Sequence, residues 1–249
     1  MGLWIIFPIC LSLVSFIGTW SVYGLAFSNN HVCALTDWGN GNYCRANHTD
    51  AGCCWVPTIS SSGTYPPENS LFTATINAGS FMFFLFCIFH HAHIMERHSS
   101  QSMLSKFALV FGVIAAMGAF AAGNCNPFHV SLLHYLGAAI SFMCACFYTA
   151  ILTVLTGKCA LSGYEKVLYP LRIISTVIQV IVTVIYTVLF AQSKYFYIHL
   201  SAVFEWMLSM NLELFELSYA VEFFFFSSYM LSNLLNKQDE VKPLIMTMS

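Results

Sequence analysis

Six stretches of about 20 mostly apolar residues, the length a helix needs to cross a hydrocarbon core, divide this chain of 249 residues. They run roughly Leu3–Phe27, Leu71–Ala92, Leu104–Ala122, Leu132–Thr156, Tyr169–Ala191 and Ile198–Phe226. Membrane strands would instead alternate polar and apolar residues in segments of about 10. Only 8% of the residues are charged and 58% are hydrophobic, against roughly 25% charged in ordinary soluble domains. The expected fold class is therefore all-α, a six-helix transmembrane bundle over residues 1–226 with a tail at 227–249. A net charge of −2 gives no clustered basic face for a nucleic acid. The first stretch lacks a charged leading region and a clear small-residue cleavage site, so it is read as a retained span, with a cleaved signal as the alternative.

Basic residues orient the spans. Arg97, Lys106, Lys158, Lys166, Arg172, Lys237 and Lys242 flank connections on one side, and only Arg45 and Lys194 lie on the other. That bias places both termini in the cytosol and residues 28–69 outside it. The same loop carries a glycosylation sequon at Asn47, usable only on the lumenal side. It also holds Cys33, Cys44, Cys53 and Cys54, where the redox environment permits disulfides. Three pairings exist for four cysteines. A bond between adjacent Cys53 and Cys54 would be strained, which favours Cys33 and Cys44 each joined to one of that pair.

The second half of the loop, Pro57 to Glu68, is rich in turn residues and predicts a rigid connector or a partner-binding surface. Small residues recur at every fourth position in span three (Ala115, Ala119, Gly123) and span four (Gly137, Ser141, Ala145), predicting close backbone contact between two helices. Span six is chemically unusual, carrying Glu205, Asn211, Glu213, Glu216 and Glu222. Glu205 and Glu216, eleven positions apart, fall about 20° apart around a helix. Ionised groups in hydrocarbon cost at least ~2.5 kcal/mol each, so these acids should face the bundle interior. With no lysine or arginine deep in a span, protonation, structural hydrogen bonds, or a headgroup contact for the outer members would accommodate them; a proton or cation path is the functional alternative. His90, His91, His93 and His98 cluster at the cytosolic end of span two and read as interfacial, solvated or headgroup-binding. They lie roughly 30 Å from His129 and His134, too far to share an ion. No metal, nucleotide, dinucleotide or hydrolase motif stands in the chain, so neither an enzyme nor a cofactor is expected. Glu240, Leu244 and Ile245 fit an acidic dileucine sorting signal in the tail.

Several short motifs in fixed order carry a resemblance. Pro57-x-Ile59-Ser60-x-x-Gly63-x-x-Pro66-Pro67-Glu68 precedes Phe72 and Asn77, then Gly123-Asn124, His134-x-x-Gly137-Ala138, Glu205-Trp206 and Glu222-Phe223. Together they resemble the FRAG/DRAM/SFK family of six-span membrane proteins over about residues 1–226. The opening Gly18-x-Trp20-x-Val22-Tyr23 and the Cys33, Cys44, Cys53-Cys54 loop are most similar to the transmembrane protein 150 branch, its A-type members above all. Two departures point to a divergent paralogue. Cys125-Asn126 replaces the usual Phe-Gln after Gly-Asn, and Ser62 and Ser70 stand where the branch typically has a cysteine pair.

The resemblance implies a non-enzymatic regulator acting with membrane lipids and protein partners. Expected roles are plasma-membrane phosphoinositide control through a phosphatidylinositol 4-kinase complex, or autophagy at endosomal or lysosomal membranes. An ion channel or channel modulator using the span-six acids is the alternative from another class.

Overall fold

The computed structural model describes residues 2–36, 56–192, 194–227, 230 and 233. Cys44, Asn47, Cys53, Cys54, Glu240, Leu244 and Ile245 lie outside the described residues. Every regular element among the described residues is helical. A 3-10 turn, Leu3–Ile5, leads into α1 (Ile6–Ser28). Next come a single turn, α2 (Ile59–Ser62), and the long helices α3 (Glu68–Arg97), α4 (Ser102–Asn124), α5 (Ser131–Lys158), α6 (Glu165–Phe190) and α7 (Tyr195–Leu217). A short helix, α8 (Ala220–Phe224), follows. Five helices, α1 with its leading turn and α3 to α6, are long and apolar enough to cross a membrane. The interrupting acids and Asn211 leave α7 less apolar than these five.

The long helices form a closed ring in which each neighbour runs antiparallel. Along α1 and α7, Ser12 donates to the Glu213 carbonyl near one end while Trp20 packs on Trp206 near the other. Between α6 and α7, Tyr186 meets Glu205 at one end and Arg172 meets Ser218 at the other. Thus α7 fills the gap between α6 and α1, and its 23 residues measure about 34 Å. The end bearing residues 28–69 is called here the loop end; the opposite end, where Trp4 packs on Phe226, is the tail end.

Polarity is inverted relative to a protein in water. Phe107, Val110, Met117, Leu132, Met143, Ile174, Ile181 and Val188 point outward, whereas Thr149, Thr153, Thr156, Arg172, Gln179 and Thr183 are buried. Lipid is the solvent that such an outer face suits. Interhelical contacts inside follow from small residues. A Cβ placed on Gly118 would lie 2.7 Å from the Gly137 carbonyl oxygen, and one on Gly137 2.8 Å from that of Gly118. The sequence stripes thus sit at the α4–α5 interface, with Gly118, one residue off the predicted stripe, making the closest approach.

Between α5 and α6, Glu165 accepts the backbone N–H groups of Leu161, Ser162 and Gly163 at 2.8, 2.6 and 3.0 Å. Gly163 adopts φ +83°, which an L-residue with a side chain disfavours, and this lets three successive N–H groups converge.

Two expectations change. The sixth apolar run is not one helix: α7 stops at Leu217 and α8 starts at Ala220. The Ser218 carbonyl, which a continuous helix would offer to residue 222, instead accepts Arg172 Nη2 at 3.1 Å, while Arg172 Nε donates to Ser218 Oγ at 3.0 Å. Nor are three of the four clustered histidines interfacial or solvated; only His98 is partly exposed. His90, His91 and His93 are buried at 3%, 9% and 0% exposure, because α3 extends to Arg97 and sets that stretch against α4, α8 and the 3-10 turn.

Candidate functional site

At the loop end, the incoming segment 56–62 dips into the bundle and is caught by three side chains of α7. His199 Nδ1 accepts the Val56 N–H at 2.7 Å, which places its own proton on Nε2 in the neutral ring. Glu205 Oε1 accepts the Ile59 N–H at 3.2 Å, and Trp206 Nε1 donates to the Pro57 carbonyl at 3.0 Å. Thr58 supplies the local cap of α2, accepting the Ser61 N–H at 3.0 Å. The carboxyl of Glu205 therefore sits at the N-terminus of α2, where it accepts an N–H group that has no partner within the helix. Its second oxygen accepts from Tyr186 at 3.3 Å. Irregular backbone at this depth is tolerated because its polar groups are satisfied by protein. Trp206 is held in turn by Trp20 and Tyr23, with ring centroids 4.8 and 5.9 Å away.

The other motif residues tie neighbouring strands of chain at the same end. Pro66 and Pro67, joined by a cis peptide, lead into fully buried Glu68. Asn29 and His31 donate to Glu68 Oε1 at 2.6 and 3.0 Å, fastening the exit of α1 to the start of α3. Asn77 and Asn124 exchange side-chain amide bonds of 2.7 and 3.2 Å across α3 and α4. Gly123 lets α3 approach, since a Cβ there would lie 2.6 Å from an Ile76 methyl, and Thr73 donates to its carbonyl. His134 Nδ1 faces the carbonyls of Ala122 and Cys125, each at 2.8 Å, so it carries the proton and leaves Nε2 as an acceptor. Cys33 is buried close by in sequence to this network. Beneath segment 56–62 lies a half-open cavity of about 410 Å³.

The tail end holds a second network. Arg172, fully buried, donates to Glu222 Oε1 and to Thr156 Oγ1, the latter at 2.7 Å. Its guanidinium carbon stacks 3.4 Å over the Tyr219 ring. His90 Nε2 lies 3.5 Å from the other Glu222 oxygen. Around this pair Trp4, Phe7, Phe89, Phe223 and Phe226 close the end of the bundle. His93 brings both ring nitrogens into this interior with no hydrogen-bond partner among the described residues.

This corrects the expectation that no basic residue lies deep in a span. An apolar run beginning at Tyr169 places Arg172 at its edge, yet α6 begins at Glu165 and puts Arg172 seven residues inside, about 10 Å along the helix. Glu222 is accordingly an ion-pair partner rather than a headgroup contact. Of the remaining acids, Glu213 Oε1 accepts from Ser209 at 3.2 Å and Glu216 is buried. Asn211 donates to the Ser175 carbonyl and to Gln179, joining α7 to α6. No group of three or more histidine, cysteine or acidic residues able to hold a metal occurs among the described residues. The chemistry available at both ends is acceptance and donation of fixed hydrogen bonds, which positions segments of chain against one another.

A family model for the Frag1/DRAM/Sfk1/Cwh43P N-terminal domain matches residues 3–226. The chain is 34% identical to Transmembrane protein 150A of Xenopus laevis, with 88% of this chain and 83% of that protein covered. It is 32% identical to Transmembrane protein 150A of Homo sapiens, covering 90% and 84%. Against the Modulator of macroautophagy TMEM150B of Xenopus tropicalis the identity is 27%, covering 90% and 87%. These names are those of transmembrane proteins and an autophagy modulator, not of enzymes. No solved structure matches. Every motif residue of both networks falls within the matched range, and the chain belongs to the Frag1/DRAM/Sfk1/Cwh43P family of multi-pass membrane proteins.

Proposed function

We propose that this protein is a non-catalytic, six-span membrane regulator with both ends in the cytosol, which sets phosphoinositide levels by recruiting a phosphatidylinositol 4-kinase complex at the plasma membrane. The observation that carries the reading is the distribution of exposed charge. Arg97, Lys106, Lys158 and Lys166 are exposed at the tail end, against Lys194 at the loop end. Even with Arg172 removed from the tally, four to one among the described residues supports a cytosolic tail end. An exposed basic surface beside the bilayer attracts anionic lipid by about 1 kcal/mol per residue, which suits a protein acting on phosphoinositides.

The antiparallel ring supports six crossings. α7 lies antiparallel to both α6 and α1, as a sixth crossing between the same two ends would. The acids of α7 and α8 give no support to a conducting path. Glu205 is held at the loop end with α2, Glu222 at the tail end with Arg172, and aromatic rings close the tail end between Trp4 and Phe226.

A second reading, modulation of autophagy at endosomal or lysosomal membranes, is favoured by the name of the Xenopus tropicalis relative. The sorting signal proposed at Glu240, Leu244 and Ile245 would serve it. Proximity labelling from the tail, alongside a plasma-membrane phosphatidylinositol 4-phosphate sensor, separates the two. Enrichment of the kinase complex, with a sensor response lost in Lys106→Ser/Lys158→Ser/Lys166→Ser, is the expected result. Enrichment of autophagy components with an unchanged sensor would replace the first reading by the second, and enrichment of neither would remove both.

A further inference from the structure

The cavity beneath segment 56–62 has the lining of a ligand site. Its volume of about 410 Å³ falls within the ~300–1,000 Å³ of small-molecule pockets. Phe72, Ile76, Ala122, Phe142 and Phe190 make most of its wall apolar, and the polar exceptions converge from different helices. They include Glu205 and Ser209 of α7, His134 of α5 and Tyr186 of α6. Its outer rim faces lipid: Tyr135 and Phe190, with ring centroids 5.2 Å apart across α5 and α6, are each 42% exposed. An occupant can therefore enter sideways from the bilayer.

The charge of the wall selects the head of that occupant. Glu205 is 6% exposed and supplies the cavity's carboxylate, while no lysine or arginine lines it among the described residues. Its bonds from Ile59 N at 3.2 Å and from Tyr186 at 3.3 Å are long for a charged acceptor, where about 2.7–2.9 Å is usual, and the Ser60 N–H is its third donor. A carboxylate offers about four lone-pair sites, so about one remains for a ligand. Ser209 and His134 add further polar groups to the same wall. An anionic head would meet a like charge there, and a purely apolar guest would leave these polar groups unpaired.

We propose that the cavity binds a single-chain amphiphile whose cationic amine head pairs with Glu205 and whose apolar chain lies between α5 and α6. This goes beyond the regulatory reading and does not depend on which cytosolic partner is recruited.

The test uses the purified full-length chain in phosphatidylcholine nanodiscs with a photoactivatable long-chain amine, and the matching long-chain carboxylic acid as control. The amine should label cavity residues such as Tyr135, Phe142 or Tyr186, and the acid should not. Glu205→Gln keeps an acceptor for Ile59 while removing the charge, and should reduce amine labelling about tenfold or more. Ala138→Phe fills the cavity without touching Glu205 and should abolish labelling, with both variants remaining monodisperse. If Ala138→Phe aggregates, competition on the wild type decides, because unlabelled dodecylamine should displace the probe and lauric acid should not. Equal labelling by amine and acid, labelling that survives Glu205→Gln, or absence of labelled cavity residues would each overturn the proposal.

Discussion

Arg172→Ala is expected to strip the protein of most of its folded, monodisperse fraction. The guanidinium is fully buried and contacts Glu222, Thr156, the Ser218 hydroxyl and carbonyl, and the face of Tyr219. Removing it takes away the guanidinium partner of the buried Glu222 carboxylate and leaves only His90, 3.5 Å away; breaking a buried ion pair from one side typically costs about 3–5 kcal/mol. Total stabilities are only about 5–15 kcal/mol, so the variant stands near the unfolding threshold. Arg172→Lys should fail to restore it, since an ammonium with three N–H groups cannot reach four acceptors and stack on a ring at once. The pair carries a sharper signature. Arg172→Met combined with Glu222→Leu should be more stable than either single change, because the charges leave together. Thermal unfolding followed by size-exclusion fluorescence reads all four proteins; additive losses would show that the two residues act independently.

Gly137→Leu should be nearly as damaging, for a steric reason. The Cβ alone would lie 2.8 Å from the Gly118 carbonyl oxygen and 2.9 Å from the Ala122 nitrogen. Both are backbone atoms and cannot rotate away, so α4 and α5 must separate along their whole contact. Overpacking by a few methylenes costs about 1–3 kcal/mol where side chains can yield, and more where they cannot. Parting these helices would also displace His134 from the Ala122 and Cys125 carbonyls. Gly24 is the internal control, as nothing lies within 4 Å of a Cβ placed there. Gly24→Ala should leave the melting temperature unchanged or raise it, because alanine is favoured over glycine in a helix by about 1 kcal/mol. If Gly137→Leu and Gly24→Ala melt alike, the close approach of α4 and α5 is not what holds the bundle.

The apolar runs made the long helices legible because one local property, continuous hydrophobicity, decides membrane-length helices. The small-residue stripes likewise located the α4–α5 contact, since glycine and alanine spacing is a property of one helix face. What stayed hidden depends on partners far along the chain. Structural hydrogen bonding was one of the roles open to Glu205, but its partner was not legible, because the contact with α2 links residues 59 and 205. No local pattern announces that a loop folds back into the bundle. Arg172 was misjudged because the helix starts four residues before its apolar run, and that small offset moves a basic residue from rim to interior. The break at Ser218 follows from the same arginine and was invisible for the same reason. The histidines of α3 were read as interfacial, solvated or headgroup-binding because their burial depends on α4, on α8 and on the amino terminus folding over the tail end. The cavity has no sequence signature, being the space left between α5, α6, α7 and the inbound segment.

The central claim is that α7, though less apolar than its five neighbours, completes an even number of crossings and returns the chain to the side on which it began. Epitopes fused separately to the two ends, in cells probed before and after selective permeabilisation of the plasma membrane, test this directly. Six crossings predict that both epitopes are hidden in intact cells and both appear once the cytosol is opened. An amino-terminal epitope exposed to the cytosol with a carboxy-terminal epitope on the opposite face would mean five crossings, and would contradict the account.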